Sequence, residues 1–495
     1  MWAQDWKKSC KKCSSQGVRQ KGKGMDYDLK FMERAIKLAK LGIGRVDPNP
    51  LVGAVIVKDG KIIGEGYHTG YGMPHAEREA LNSLTESAQG ADMYVTMEPC
   101  AHQGMQPPCV PAIIDAGIRT VYIGSSDPNP MVNGKGIWML RHQGIEVVTG
   151  VMKKECDAMN AVFFHYITTR QPYIVLKYAM TMDGKIATVK GQSRYISGDF
   201  ARGRVRALRN QYPAIMVGIG TVLADDPMLD TRRQKDRVPI RIICDTNLRI
   251  PIDAKIVKSA GTIRTIVASG ENALRDKEEK VRELEVDGVE VLRVPEKNGE
   301  IDLCTLVPML GSMGISAVMV EGGGRLAWSF IKEGLVNEVV TYTSPKVFGG
   351  ASATTPVTGE GVNTVDEAYQ FHLVDSEILP GGDIYARYII GPEPEEDEEE
   401  GVEVLAAEPQ KIKRIKTNET KLLEMEQTAQ EKAKEEEADD GWGTADSIPM
   451  QKAEAPHEPM LDDDLDDAPP VELENRIVTE VLSADLNPFN IENKK

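Results

Sequence analysis

Leu29, Met32, Ala35, Ile36, Leu38 and Ala39 recur every third or fourth position, which predicts an amphipathic helix ended by Gly42. The pattern then changes. Val52-Gly53-Ala54-Val55-Ile56-Val57 is a continuous apolar run, Asp59-Gly60 is a hairpin signal, and Lys61 to Tyr67 reads as the return strand. A helix from His75 to about Ser87 follows, then a strand over Met93–Met97, a helix over Pro111–Gly117, and strands over Thr120–Ile123 and Glu146–Val148. Met152–Thr169 reads as a last helix and connector. The order β-β-α-β-α-β predicts a helix-covered sheet. A second series starts at Pro172, with strands over Tyr173–Lys177, Ala214–Gly218, Ile240–Cys244, Ile263–Ala268, Val289–Val294, Ala317–Glu321, Val339–Thr343 and Ile384–Ile390. An arginine-rich helix covers Ala201–Asn210, and Glu321-Gly322-Gly323-Gly324 opens a helix to about Lys332. Both series predict the α/β class.

Composition divides the chain further. A length of 495 residues holds two or three domains. The net charge of −17 lies almost entirely beyond Glu393, where 31 acidic residues face 11 basic ones. The rest carries 45 acidic and 48 basic residues, so its charge gives no reason to expect a nucleic-acid partner. The tail has acidic blocks at Glu395–Glu400 and Asp462–Asp467 and few aromatics, so disorder is expected, with a short apolar stripe from Ile477 to Leu486 as a docking segment for a protein partner. Met1–Gly24 is polar and basic and reads as disordered; its Cys10-x-x-Cys13 pair lacks the second pair a zinc knuckle needs. The expected divisions are 1–24, 25–170, 171–391 and 392–495. No apolar run reaches the membrane-spanning length of about 18 residues, and no apolar segment follows the basic N-terminus. Seven scattered cysteines fit a reducing cytoplasm better than a disulfide framework.

The chemistry concentrates between Pro74 and Cys109. His75-Ala76-Glu77 is followed by Glu98-Pro99-Cys100 and Pro107-Pro108-Cys109. One imidazole and two thiolates suit zinc, and three protein ligands leave a fourth position for water. Glu77 is not needed as a ligand and is placed to move the proton. Zinc-dependent base deaminases share His-x-Glu and Pro-Cys-x-x-Cys. Here eight residues, Ala101–Pro108, separate the cysteines. They include His102, an expected wall of the site. His142 and His165 have no partner in the sequence and read as structural.

The glycine run after Glu321 presents backbone N–H groups at a helix start, which suits a phosphate. The spacing Gly-x-Gly-x-x-Gly is absent, so a tight strand–helix junction is an equal reading of these residues.

The two halves together resemble the bifunctional riboflavin-biosynthesis deaminase/reductase family over about Met25–Ile390. The blocks that carry the likeness include Pro48-Asn49-Pro50-Leu51-Val52-Gly53, Pro74-His75-Ala76-Glu77, Glu98-Pro99-Cys100, Pro107-Pro108-Cys109, Asp127-Pro128-Asn129-Pro130, Met182-Asp183-Gly184-Lys185, Gly220-Thr221-Val222-Leu223-Ala224-Asp225-Asp226-Pro227 and Glu321-Gly322-Gly323-Gly324. The Cys-x8-Cys spacing is that of the family. The resemblance implies a cytidine-deaminase-like domain with one Zn2+ per chain on His75, Cys100 and Cys109, with Glu77 catalytic. Asn49 and His68 would bind the pyrimidine substrate. It implies a dihydrofolate-reductase-like domain next, in which Lys177, Ser193, Arg209, Arg232 and Glu321 contact the sugar phosphate. Ala179, Tyr195, Thr221, Asp225, Leu229, Thr246, Gly323, Gly324, Arg325, Leu326, Ala327, Trp328 and Ser329 would line NADPH. The implied reactions are hydrolytic deamination of 2,5-diamino-6-ribosylamino-4(3H)-pyrimidinone 5′-phosphate, then reduction of its ribosyl group to ribityl. A homo-oligomer, dimer or tetramer, is the implied assembly. Three departures stand out. Tyr195 replaces a usual Trp, and Met105 and Gln106 replace a basic residue and Thr. The alternative is a zinc deaminase of another base or of nucleic acid with a repurposed second domain.

Overall fold

The structure is a computed structural model that describes residues 19–22, 25–129, 133–231 and 237–390. Cys10, Cys13, Arg232, Arg233 and the acidic tail lie outside the described residues. A short antiparallel pair, β1 (Arg19–Gly22) and β2 (Met25–Asp28), opens the described chain, although composition predicts no order at Arg19–Gly22. Asp28 caps α1 (Leu29–Ala39), its carboxylate accepting from the Lys30 N–H.

The first sheet joins β3 (Gly53–Lys58), β4 (Lys61–Tyr67), β5 (Asp92–Met97), β6 (Thr120–Ser125) and β7 (Glu146–Thr149) in the order β4-β3-β5-β6-β7. β3 is antiparallel to both neighbours, while β5, β6 and β7 run parallel. The strands read as unbroken apolar runs because helices cover both faces. Ala54, Ile56, Met93, Val95 and Ile123 enter one core layer, and Val55, Val57, Tyr94 and Tyr122 the other.

α2 (Ala76–Asn82) packs directly on β4: a Cβ on Gly66 would lie 2.4 Å from the Ala80 nitrogen. α2 is shorter than the spacing predicts. Ser83 bonds the Ala80 and Glu65 carbonyls, and Thr85 turns to Ile63, so hydroxyls compete with the helical ladder. α3 (Cys109–Asp115) begins two residues earlier than expected, which places Cys109 in its first turn. α4 (Lys135–His142) is a helix that the pattern does not reveal. The Met152–Thr169 segment divides at Asn160 into α5 (Lys153–Met159) and α6 (Ala161–Thr169). Asn160 is buried, and its amide brackets both backbone groups of Leu51, at 2.8 and 3.0 Å.

The second sheet contains β8 (Tyr173–Thr181), β9 (Ala214–Gly218), β10 (Ile240–Cys244), β11 (Thr265–Gly270), β12 (Val289–Val294), β15 (Ala317–Glu321), β16 (Glu338–Ser344), β17 (Phe371–Ile378) and β18 (Ile384–Ile390). A two-residue hairpin pair, β13 (Glu296–Lys297) and β14 (Glu300–Ile301), stands apart. The order is β12-β11-β10-β9-β15-β8-β16-β18-β17, parallel from β12 to β16 and antiparallel beyond. Val175, Ile215, Val217, Ile243 and Met319 fill one face, and Ile174, Leu176, Met216, Ile242 and Val320 the other. α7 (Asp199–Gln211) leads into β9, α8 (Ile219–Asp225) leaves it, and α9 (Gly324–Lys332) follows β15. No helix among the described residues is long and apolar enough to cross a membrane.

Candidate active sites

β5 and the N-terminal ends of α2 and α3 converge on one point. His75 is the residue before α2, Cys100 follows the end of β5, and Cys109 opens α3. Their ligand atoms all lie within 4.8 Å of one another. His75 Nδ1 is 3.4 Å from Cys100 Sγ and 3.5 Å from Cys109 Sγ. Tetrahedral zinc, with Zn–N of about 2.0 Å and Zn–S of about 2.3 Å, requires N to S separations of about 3.5 Å, so the donor set fits the ion in number, chemistry and spacing. Cys100 is held down to about 4, first by the Cys109 thiol donating to it and also by His75, so a thiolate stands ready. Glu77, in the first turn of α2, is 3% exposed, and burial followed by the Cys100 charge pushes its carboxyl up to about 7.

Asn49 and His68 stand beside this triad. His68 Nδ1 is 3.0 Å from the Pro74 carbonyl, which only accepts, so Nδ1 carries the proton and Nε2 accepts from Asn49 Nδ2 at 3.0 Å. Burial, the larger cause, and His75 lower the pKa of His68 and so favour the neutral ring, while the Pro74 carbonyl sets which nitrogen carries the proton. The His68 ring meets His75 edge-on at 5.5 Å.

Three residues without an expected role hold the triad in place. Glu98, buried between Met97 and Pro99, accepts from Gly134 N at 3.1 Å, Gly136 N at 3.0 Å and Ile137 N at 3.4 Å, and so fastens the start of α4 to the cysteine turn. Arg78 donates to the Pro107 and Pro108 carbonyls at 3.2 and 2.9 Å, just before Cys109. Asn160 fixes the strand entry after Asn49. An acidic residue inside an apolar strand end was the available signal for Glu98; the other two depend on contacts far apart in sequence. The Ala101–Pro108 loop is closed at its base, where Cys109 N and Val110 N both donate to the Cys100 carbonyl. Gln106 Nε2 bonds the Gly72 carbonyl at 2.7 Å, and Met105 at the tip is 69% exposed. His102 is exposed on the same loop.

The second site is built across β8 and β15. Lys177 and Glu321 are register partners on these parallel strands, and their charged atoms are 3.9 Å apart. Arg209 arrives from α7 and grips Glu321 with Nε and Nη2 at 2.8 and 2.9 Å, while Nη1 donates to the Asp230 carbonyl at 2.9 Å. Burial alone would raise the Glu321 carboxyl; Lys177 and Arg209 outweigh it and hold it at about 2. Burial dominates for Lys177, whose pKa is lowered. Arg209 thus has three of its five donors engaged, leaving one hydrogen on each terminal nitrogen for an outside ligand.

Gly322 and Gly323 have φ of +64° and +73°, and the Cβ position of Gly323 is open space. That exposed backbone at the start of α9 fits the close approach of a phosphate group. Thr221 faces Gly322, and Ser193 Oγ lies 3.5 Å from Asp225. Tyr195 is 69% exposed, with the Arg202 guanidinium 4.9 Å above its ring. Thr246 Oγ1 accepts from Ile301 N, and Ala179 packs on the core. Leu229 has a positive φ and a core-buried side chain, so its backbone is what it offers a ligand. The structure divides the α9 stretch. Ala327 is buried with the core and Leu326 packs at its edge, whereas Arg325, Trp328 and Ser329 line a separate cavity of about 330 Å3 with Lys297, Glu300 and Glu360. His142 stacks on Trp138, and His165 packs edge-on against Tyr173.

These two centres on two α/β sheets define a base deaminase joined to a reductase. Residues 25–125 match the cytidine and deoxycytidylate deaminase zinc-binding region, and residues 172–382 match the RibD C-terminal domain. The riboflavin biosynthesis protein RibD of Actinobacillus pleuropneumoniae is 48% identical over 363 residues, 73% of this chain and 95% of that protein. RibD of Escherichia coli (strain K12) is 40% identical over 374 residues, 73% of this chain and 98% of its own. The Thermotoga maritima structure described as a diaminohydroxyphosphoribosylaminopyrimidine deaminase/5-amino-6-(5-phosphoribosylamino)uracil reductase has 36% identity and a TM-score of 0.64, covering 73% of this chain and 98% of that one. The chain belongs to the RibD family. It is a bifunctional deaminase and reductase of riboflavin biosynthesis, with zinc and NADPH as cofactors.

Proposed function

We propose that residues 25–170 deaminate 2,5-diamino-6-ribosylamino-4(3H)-pyrimidinone 5′-phosphate and that residues 171–391 then reduce its ribosyl group, with the following division of labour. His75, Cys100 and Cys109 would hold the zinc, which would supply a water whose pKa is lowered to about 7. Asn49 and the neutral His68 bind and orient the pyrimidine. Glu77 takes the proton of the attacking water and returns it to the departing amine, so a C–O bond forms, the C–N bond breaks and ammonia leaves. The single observation carrying this reading is the spacing of the His75, Cys100 and Cys109 donors with a buried Glu77 alongside.

In the second domain NADPH, when bound, would supply the hydride that reduces C1′ of the sugar. Opening the ribose ring needs a proton at its ring oxygen, and Lys177, whose ammonium lies 3.9 Å from the ionised Glu321, is the group that gives it. Glu321 orients Lys177 and the sugar, while Arg209, with Ser193 and Arg232, serves the phosphate end. Gly323 and Gly324 offer backbone to the cofactor, with Thr221, Asp225, Tyr195 and Thr246 around it. We also take the enzyme to be a cytoplasmic homo-oligomer, a dimer or tetramer, in line with its cysteine usage and family resemblance.

A coupled assay tests the order of events. Intact protein should release ammonia and consume NADPH on the diaminopyrimidine substrate. Glu77→Ala should abolish both on that substrate while still oxidising NADPH when given the deaminated compound. NADPH oxidation by Glu77→Ala on the undeaminated substrate would refute the sequence of reactions.

A further inference from the structure

We propose that Arg237 and Ser316, carried by the reductase half, are positioning residues for the deaminase site, acting through Asp47 on Asn49. The inference rests on the reading of Asn49 as a substrate contact. Asn49 sits in the loop between Gly42 and β3, whose own hydrogen bonds are few. Asn49 N donates to the Val46 carbonyl at 2.9 Å, and Tyr71 N to that of Arg45 at 3.1 Å. Leu51, at the far end, is bracketed by Asn160. Between these points lies Asp47, and both its oxygens leave the domain.

One carboxylate oxygen of Asp47 pairs with Arg237 Nη2 at 3.0 Å, and the other accepts from the Ser316 hydroxyl. Arg237 is 190 positions away in sequence, and Ser316, 1% exposed, directly precedes β15. A second contact reinforces the first. Asn210, in the last turn of α7, accepts from Arg237 N at 2.9 Å and also abuts Gly44. Gly44 has φ of +78°, and a Cβ there would lie 2.5 Å from the Asn210 carbonyl oxygen. The loop therefore rests on α7 and β15, while Asn49 reaches His68 and, through the Pro74 carbonyl, the residue before the ligand His75. Arg209 and Asn210 are adjacent on α7, one facing Glu321 and the other the deaminase loop.

A carboxylate with a guanidinium on one oxygen and a hydroxyl on the other has its direction fixed, and so has the turn that carries it. Arg237 and Asp47 are 26% and 18% exposed, so water screens the pair in part and the effect of losing it is moderate. The loop shifts, but the triad, fixed by Glu98 and Arg78, stays. Substrate affinity suffers and the chemical step does not.

The test uses full-length protein. Arg237→Ala should raise the deaminase KM about tenfold, with kcat within about twofold. Zinc content and reductase kcat/KM on the deaminated substrate should be unchanged. Arg237→Lys should recover most of the loss, and Asp47→Ala combined with Arg237→Ala should be no worse than Asp47→Ala alone. Ser316→Ala, a milder change, should raise the same KM by a smaller factor. Asn49→Ala is the control on the underlying reading. A raised KM in Asn49→Ala with none in Arg237→Ala overturns the positioning role alone. An unchanged KM in Asn49→Ala removes the substrate contact and the inference with it. Equal loss of both activities in Arg237→Ala, with a lowered Tm, would make the contact a general brace and refute the inference.

Discussion

Gly136→Ala isolates how the metal site is held. Gly136 lies in the first turn of α4, where its Cβ position falls 2.0 Å from the Pro99 carbonyl oxygen and 3.3 Å from a Glu98 carboxylate oxygen. Ordinary carbon–oxygen contacts begin near 3.3 Å, so α4 and the Pro99 peptide must separate by about 1.3 Å. Both are backbone, and no side-chain rotation relieves the overlap. The penalty for such overpacking is about 3 kcal/mol, at the upper end of the usual range. The displaced peptide precedes Cys100, and loss of the partners that orient a metal ligand lowers metal affinity about 10- to 100-fold. Zinc competition against a chromophoric chelator reads this directly. Ammonia release at saturating zinc and NADPH oxidation on the deaminated substrate complete the assay, the latter as an internal control. Gly134→Ala is the matched comparison: its φ is +75° and its Cβ position is open, so it adds backbone strain of about 1 kcal/mol without touching Pro99. Equal zinc affinity in Gly136→Ala and wild type would refute the claim that α4 fixes the cysteine turn.

Two other perturbations follow from the same contacts. Arg209→Gln removes one of the two cations holding Glu321 near 2 against burial, so protonation of Glu321 should rise into the assay range and reductase kcat/KM should fall with decreasing pH, where wild type shows no acid limb from this group; a pH profile superimposable on wild type would rule this out. Arg78→Ala frees the Pro107 and Pro108 carbonyls and should weaken zinc binding about tenfold in the same chelator competition while leaving NADPH oxidation intact.

Residues whose chemistry admits few substitutes are legible in the sequence itself. His75, Glu77, Cys100 and Cys109 declare themselves by type and order, and most strands of both sheets by apolar runs that alternate between two cores. What the linear pattern withheld is relational. Nothing in the sequence pairs Asp47 with Arg237, 190 positions away, which the fold brings to 3.0 Å. Asn160 divides a segment that looks like one helix because its amide is committed to Leu51. α4 was hidden because its start is secured by Glu98 rather than by a local capping residue. β17 follows a long irregular stretch and alternates weakly, with Leu373 and Ile378 exposed, so nothing in its period marks it as a strand. In the reductase stretch after Glu321, adjacency in sequence does not show surroundings: Gly323 has open space at its Cβ position, whereas Trp328 lines a cavity.

The loop between the two cysteine ligands has an evolutionary reading. Its base is sealed by the Cys100 carbonyl and its exit is gripped by Arg78, while its tip, with Met105, lies free in water. Metal retention and the surface presented to an incoming molecule are therefore encoded by different residues of one short segment. Substitutions at the exposed positions 102–105 leave both of these anchors intact, so this stretch can change without disturbing the ion's seat. Met105 sits where such exchange costs least, whereas Gln106 is tied to the Gly72 carbonyl and its replacement would loosen the tip.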